Sequence, residues 1–134
     1  MTFKLINPAA LGAPRGYSNG VLANAGGRLL FVAGQVGWDE RQTIVSEDFV
    51  EQFDRALANV ITVVSDGGGR PDQIARLVIY VTNKKEYTGS LNEVGECYRA
   101  RMGKHFPAMV LVEVKSLLDD NAKVEIEAVA VLSS

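Results

Sequence analysis

A chain of 134 residues suits one domain and is too short for two independent hydrophobic cores. Hydrophobic residues make up 47% and charged residues 22%, close to the average of soluble globular proteins, and a formal net charge of −2 gives no global pull toward nucleic acid or anionic lipid. The single cysteine, Cys97, cannot form an internal disulfide, so nothing calls for an oxidising compartment. Residues 1–8 carry no apolar run long enough for a secretion signal, and the longest apolar stretches, 29–33 and 108–112, fall far short of a membrane span. A soluble, cytoplasmic protein is expected, with no nucleic-acid or membrane partner.

Along the chain, residues 20–24 and 29–33 are short β-prone runs joined by Ala25-Gly26-Gly27-Arg28. The Gly-Gly pair suits a tight hairpin between them. Residues 46–65 form the clearest helix, because Phe49, Phe53, Ala56, Leu57, Val60, Ile61 and Val64 recur at helical spacing. Ser46 is the expected N-cap, Glu47 and Asp48 suit the positive end of the helix dipole, and Gly67-Gly68-Gly69 ends the helix. Residues 74–81 are dense in β-branched side chains and read as a strand.

A second helix spans roughly residues 88–102, with Leu91, Val94, Tyr98 and Met102 on one side; Ser90 and Glu93 have capping-box spacing. Pro107 stands where the helix has ended. Residues 109–114 and 123–132 read as two strands, hairpin partners about a turn at Asp119-Asp120-Asn121. This order predicts a single α+β domain over residues 1–134, with two helices covering one face of a mixed sheet. Both terminal strands are apolar on alternating and intervening positions alike. A sheet covered on one side only should not be so apolar on the other, so the second face is expected to pack against another subunit.

Several short segments, in order and with compatible gaps, resemble the RidA/YjgF family of reactive intermediate deaminases. They are Gly16-Tyr17-Ser18 with Gly20-Val21; Phe31-Val32-Ala33-Gly34-Gln35-Val36; Gln52, Ala56, Leu57 and Asn59; Asn92-Glu93-Val94; Phe106-Pro107-Ala108; and Glu125-Ile126-Glu127-Ala128-Val129-Ala130. Each piece alone is weak, but together they run from Tyr17 to Val131, nearly the whole chain. The resemblance implies a chorismate-mutase-like α+β fold and a homotrimer that holds a small-molecule ligand in clefts between subunits. Active members of that family hydrolyse imines and enamines, such as 2-aminoacrylate or 2-iminobutyrate, to keto acids and ammonia, with no metal or organic cofactor.

The resemblance breaks at one informative position. In those deaminases an arginine follows the Pro-Ala pair and clamps the substrate carboxylate; here Met109 stands there, with no donor and no charge. Charge-assisted hydrogen bonds of roughly 1.5–3 kcal/mol each make a two-bond clamp worth about three orders of magnitude in binding or turnover. Ordinary 2-imino acids should therefore be poor substrates. Ala33, beside Gly34, replaces the family's usual serine, and Leu111 stands where many active members have a small or polar residue, so the pocket should be more apolar than usual. Arg15, Arg101 and Lys104 are the candidates to replace the missing guanidinium, although each also reads as a solvated surface charge.

What the resemblance retains is Glu125, at the family position that holds the hydrolytic water, Tyr17, which lines the same cleft, and Asn92, close to it. Glu125 and Tyr17 are the expected catalytic residues; Met109, Asn92, Leu111, Ala33 and Gly34 are the expected substrate contacts. The structural alternatives are a paired carboxylate within a strand, an interface tyrosine and a helix-packing asparagine. His105 is the only histidine and sits in an expected surface turn, so no metal cluster is expected, and Cys97 has no histidine partner near it in sequence. Gly67-Gly68-Gly69 follows a helix and lacks the Lys-Ser/Thr ending of a phosphate loop.

The expected function is imine or enamine hydrolysis with altered substrate range, of which a 2-aminomuconate-type deaminase is one concrete version. The alternative from another class is a non-catalytic trimer that binds a small ligand or regulates a partner. A third reading, ribonuclease, follows from an activity attributed to some relatives and is opposed by the acidic charge balance.

Overall fold

The computed structural model describes residues 3–24 and 26–133. Six strands, β1 (Lys4–Ile6), β2 (Gly20–Leu22), β3 (Arg28–Val36), β4 (Ile74–Val81), β5 (Ala108–Glu113) and β6 (Val124–Leu132), are accompanied by helices α1 (Phe49–Asp66), α2 (Lys84–Thr88) and α3 (Leu91–Met102). The main sheet has four strands in the order β3-β6-β4-β5, with β4 and β5 parallel and the other pairs antiparallel. The expected α+β architecture is present: α1 and α3 cover one face of this mixed sheet.

Two expected pairings are corrected. The second and third strands do not form a hairpin. β2 pairs with β1, and β3 pairs along nearly its whole length with β6, a strand of equal length. Ala25, in the expected turn, lies outside the described residues. The last two strands are not partners either, because β4 lies between them. The Asp119 turn does exist, with Ala122 N–H donating to the Asp119 carbonyl at 3.0 Å and Asn121 N–H to the Asp119 carboxylate at 2.9 Å. It ends a connection that leads β6 to the far side of β4. β5 lies parallel to β4, a pairing that needs a crossover of helix length, and α2 and α3 supply it.

The cap of helix α1 lies two residues after the expected one. Asp48, not Ser46, accepts the Glu51 N–H (3.0 Å), while the Ser46 hydroxyl accepts the Asp48 N–H (2.9 Å). Gly68, at φ 89°, takes the left-handed turn that ends the helix. Ser90 does precede α3, but its side chain makes no capping hydrogen bond. Leu91, placed by its spacing on the apolar side of that helix, is exposed.

The core forms where the apolar stripe of α1 meets alternate residues of the sheet. Phe49, Phe53, Ala56, Leu57, Val60 and Val64 pack on Leu77, Ile79 and Val81 of β4 and on Val124, Ile126, Ala128 and Ala130 of β6. Each fully buried Leu, Val or Ile among them adds about 1.5–3 kcal/mol of transfer free energy. Two motif residues of α1 act as tethers. Gln52 is fully buried, donates to the Ser46 and Asn121 carbonyls and accepts from Lys123 N–H. Asn59 donates to the Val36 and Trp38 carbonyls and so fixes the end of β3.

Candidate functional site

Strand alternation sorts the candidate residues before any chemistry is considered. On β6, Val124, Ile126, Ala128 and Ala130 enter the core, so Glu125, Glu127 and Val129 face the other way. Register carries this across the sheet: Tyr80 lies opposite Glu125, Val78 opposite Glu127, and Phe31 opposite Val129. This face has no helix over it. Phe31 is 71% and Leu29 63% exposed at the β3 edge, and Val110 and Val112 of β5 are exposed on the same face at its opposite edge.

The polar end of the open face is built around a β-bulge. Val32 pairs with Ala128 and Gln35 with Ile126, which leaves Ala33 and Gly34 together opposite Glu127. The side chain of Glu125 lies directly against Gly34: a Cβ there would stand 2.8 Å from its carboxyl carbon. The glycine is thus what allows the carboxylate its place on the bulge. Alongside, the Tyr80 hydroxyl donates to Glu127. That hydrogen bond, with desolvation and the charges of Glu127 and Glu125, holds the Tyr80 phenol above its ordinary pKa. Neither Tyr80 nor Glu127 stands out as a site residue in the sequence. The signal was present in the period of two, which places both beside Glu125 once β4 and β6 are known to pair.

Met109 and Leu111 face the opposite side. They pair with Leu77 and Ile79 and pack against the core beneath the helices. Met109 forms part of a groove of about 280 Å3 between β5 and α3, lined also by Arg15, Tyr87, Gly95, Arg99 and Phe106. Asn92 is exposed near the start of α3 and is not among the groove's lining residues. The chain therefore brings Ala33, Gly34 and Glu125 together, and does not bring Met109, Leu111 or Asn92 to them.

Tyr17 takes a third position, at the sheet edge. Ser18 N–H donates to the Pro107 carbonyl at 3.0 Å and its hydroxyl to the Phe106 carbonyl, which pins residues 16–19 beside the start of β5. Tyr17 is 37% exposed and borders a shallow recess of about 220 Å3 with Arg76, Ala108, Met109 and Val110. Arg76 is a cation that the sequence reading did not single out.

The expected substitutes for the missing arginine separate clearly. Arg101 is committed to Asp54 by two hydrogen bonds of 2.7 and 3.0 Å, which hold the Asp54 carboxyl below its ordinary value. Lys104 is exposed in the turn after α3, and Arg15 lines the groove. Arg99, which the sequence did not single out, lines it too.

His105 is half-buried rather than part of an open surface turn. Its Nε2 lies 2.7 Å from the Ile74 carbonyl, and its own carbonyl accepts from the Tyr98 hydroxyl at 2.6 Å. Burial pushes the Cys97 thiol up, aided by the Asp54 charge, so it stays protonated near neutrality. Among the described residues, no group of three or more His, Cys, Asp or Glu side chains is placed to hold a metal ion, and no helix is long and apolar enough to cross a membrane.

Comparison with known proteins agrees with this fold. A RutC family protein of Aquifex aeolicus (strain VF5) is 36% identical over 115 residues, covering 86% of this chain and 87% of that one. The crystal structure of YyfB from Yersinia pestis, a protein of unknown function in the conserved Rid family, superposes with a TM-score of 0.87. It is 30% identical, and the match covers 98% of this chain and all of that one. E. coli TdcF, crystallised with bound serine, superposes with a TM-score of 0.67 at 27% identity over 91% of this chain and 92% of its own. The family described as endoribonuclease L-PSP matches residues 7–132, and the chain belongs to it, the RidA/YjgF family.

Proposed function

We propose that this chain is a hydrolase of imines or enamines that works as a homotrimer, with each ligand cleft shared between two subunits. The observation that carries the reading is the division of the site across the sheet. Glu125 and Gly34 lie on an open apolar face, while Met109 and its groove lie behind the sheet. A second copy that approaches with its β5 edge covers part of this apolar face and presents its own groove, which opens beside β5, to the Glu125 carboxylate. Serine bound to TdcF is consistent with a small amino-acid-like ligand here.

In this reading Glu125 holds a water against the C=N carbon and takes its proton as the new C–O bond forms. The nitrogen gains protons, the C–N bond of the carbinolamine breaks, and ammonia and a carbonyl product leave. Tyr17 binds the substrate from the sheet edge and Met109 contributes an apolar wall. With no guanidinium at position 109, ordinary 2-imino acids are poor substrates, and preference shifts to molecules whose charge lies elsewhere.

The non-catalytic binding trimer remains the rival, and Met109 is the observation that favours it. A polyanionic RNA substrate is opposed by the net charge of −2. The test is ammonia release from freshly generated 2-iminobutyrate and from larger imines, with light scattering for the oligomer. Slow wild-type turnover of 2-iminobutyrate, a gain in Met109→Arg, and a loss of about 10²–10⁴-fold in Glu125→Gln are expected. No turnover of any imine by wild type or Met109→Arg, in a folded trimer, would leave the rival standing. A monomer would overturn the shared cleft.

A further inference from the structure

We infer that the groove beside Met109 binds a small carboxylate with an apolar or aromatic body, and that Arg99 from α3, together with Arg15, supplies the guanidinium that position 109 lacks. The inference deepens the proposal above, since it takes the groove as part of the substrate cleft.

Three observations converge on it. The groove's lining includes Arg15 and Arg99 and no Asp or Glu, within a protein whose net charge is −2. Among the described residues neither arginine is in an ion pair, whereas Arg101, two positions after Arg99, is consumed by Asp54. Most telling is Gly95. A glycine in a helix interior weakens the helix, so it calls for a local reason.

That reason is the arginine one turn later. A Cβ at residue 95 would stand 3.0 Å from Nη1 of Arg99, so the guanidinium lies back over the bare backbone of Gly95. This direction, toward the helix N-terminus, is the one long side chains on a helix favour. A side chain at 95 would press on the guanidinium, which must give by a few tenths of an ångström even for a single methyl.

The remaining walls suit an apolar body. Met109, Tyr87 and Leu91 contribute to them, with the stacked rings of Tyr98 and Phe106, 5.2 Å apart, behind. The planar fork of the guanidinium selects a carboxylate over a neutral amide, and although Arg15 and Arg99 are exposed, the apolar walls hold a ligand's body against them. The acid group then sits toward α3 instead of beside β5. That accommodates a larger or differently shaped acid than the family's short 2-imino acids.

Equilibrium binding tests this without turnover, using phenylpyruvate and its neutral amide as probes by calorimetry. Wild type is expected to prefer the acid, and Arg99→Gln to weaken the acid by about tenfold to a hundredfold while leaving the amide unchanged. Gly95→Ala is expected to weaken the acid as well while raising Tm by about 2–6 °C, because alanine favours the helix as it displaces the guanidinium. A general loss of structure cannot produce those opposite signs. Acid and amide binding alike to wild type, no binding of either, or an unchanged acid affinity in Arg99→Gln or Gly95→Ala would each overturn the inference. Because Glu125 is intact throughout, a carboxylate site can stand where hydrolysis fails, and hydrolysis can stand where this site fails.

Discussion

The face of the sheet beneath α1 and α3 and the face opposite are drawn from the same strands and are similarly rich in branched aliphatic residues, yet they do different work. On the covered face the apolar residues are finished: Leu57, Val60, Leu77 and Ile126 are fully buried, and the buried polar side chain of α1, Gln52, has its hydrogen bonds filled at the start of the helix. On the open face Phe31 and Leu29 lie bare, and the polar residues Glu125, Glu127 and Tyr80 are gathered near a bulge. One face supplies the stability of a subunit. The other holds a carboxylate in position beside apolar surface that nothing in the chain covers.

The contrast is broken most directly by truncating a residue on each face. Leu57→Ala removes a fully buried side chain and should lower unfolding free energy by about 2–5 kcal/mol, read from denaturant midpoints. Phe31→Ser, at a site 71% exposed in the subunit, should change the stability of an isolated subunit by less than about 0.5 kcal/mol. It should nonetheless shift the mass seen by light scattering toward monomer. If Phe31→Ser instead unfolds the chain and leaves its mass unchanged, the open face belongs to the subunit's own stability and the contrast fails.

Gly34→Ala sharpens the comparison within the open face. The added methyl meets the end of a flexible glutamate side chain rather than backbone, so the fold adjusts cheaply while the Glu125 carboxylate must move. Turnover of whichever imine the wild type accepts should fall by about a hundredfold, the effect of misplacing a reacting group by about 1 Å, with Tm within a few degrees of wild type. Full activity in Gly34→Ala would show that the seat of Glu125 on the bulge does not matter.

These faces were partly legible in the sequence. The α1 stripe and the bounds of β4 follow from periods of 3.6 and 2, because each pattern fixes which residues of an element are buried. Neighbour relations are not in those patterns. Period two shows that Glu125 and Ile126 face opposite ways, but not that β6 inserts between β3 and β4, nor that β2 leaves β3 for β1. The Asp119 turn was recognised for its residues, while its partners depended on a ten-residue connection crossing β4, a tertiary choice. Helix α2, five residues long, has no apolar period to reveal it.

The site was legible in the same measure. Gly34 and Glu125 were expected together and are found in contact, but Met109 was expected beside them and faces the other side of the sheet. Chemical identity alone does not say which face a residue occupies. Arg99 was missed because an arginine on a polar helix resembles any solvated charge. Its sequence signal was Gly95, four residues earlier, in the middle of that helix.

The smallest expected effect concerns Arg101, whose commitment to Asp54 separates it from Arg99. The pair joins α1 to α3 at the surface, with side chains 36% and 37% exposed, so solvent screening limits it to about 0.5 kcal/mol. Its hydrogen bonds lower the Asp54 carboxyl from the ordinary 3.8, and a carboxyl lowered by folding stabilises the folded state above its unfolded value. That contribution is lost as pH falls through the folded value. Arg101→Gln should therefore be slightly less stable than wild type at pH 7, and the two should converge as pH drops below about 3.8. The same substitution should leave carboxylate binding in the groove unchanged, since Arg101 does not line it. A gap in stability that stays constant down to acid unfolding would mean that Arg101 acts through the packing of its methylene chain, and that the ion pair adds nothing.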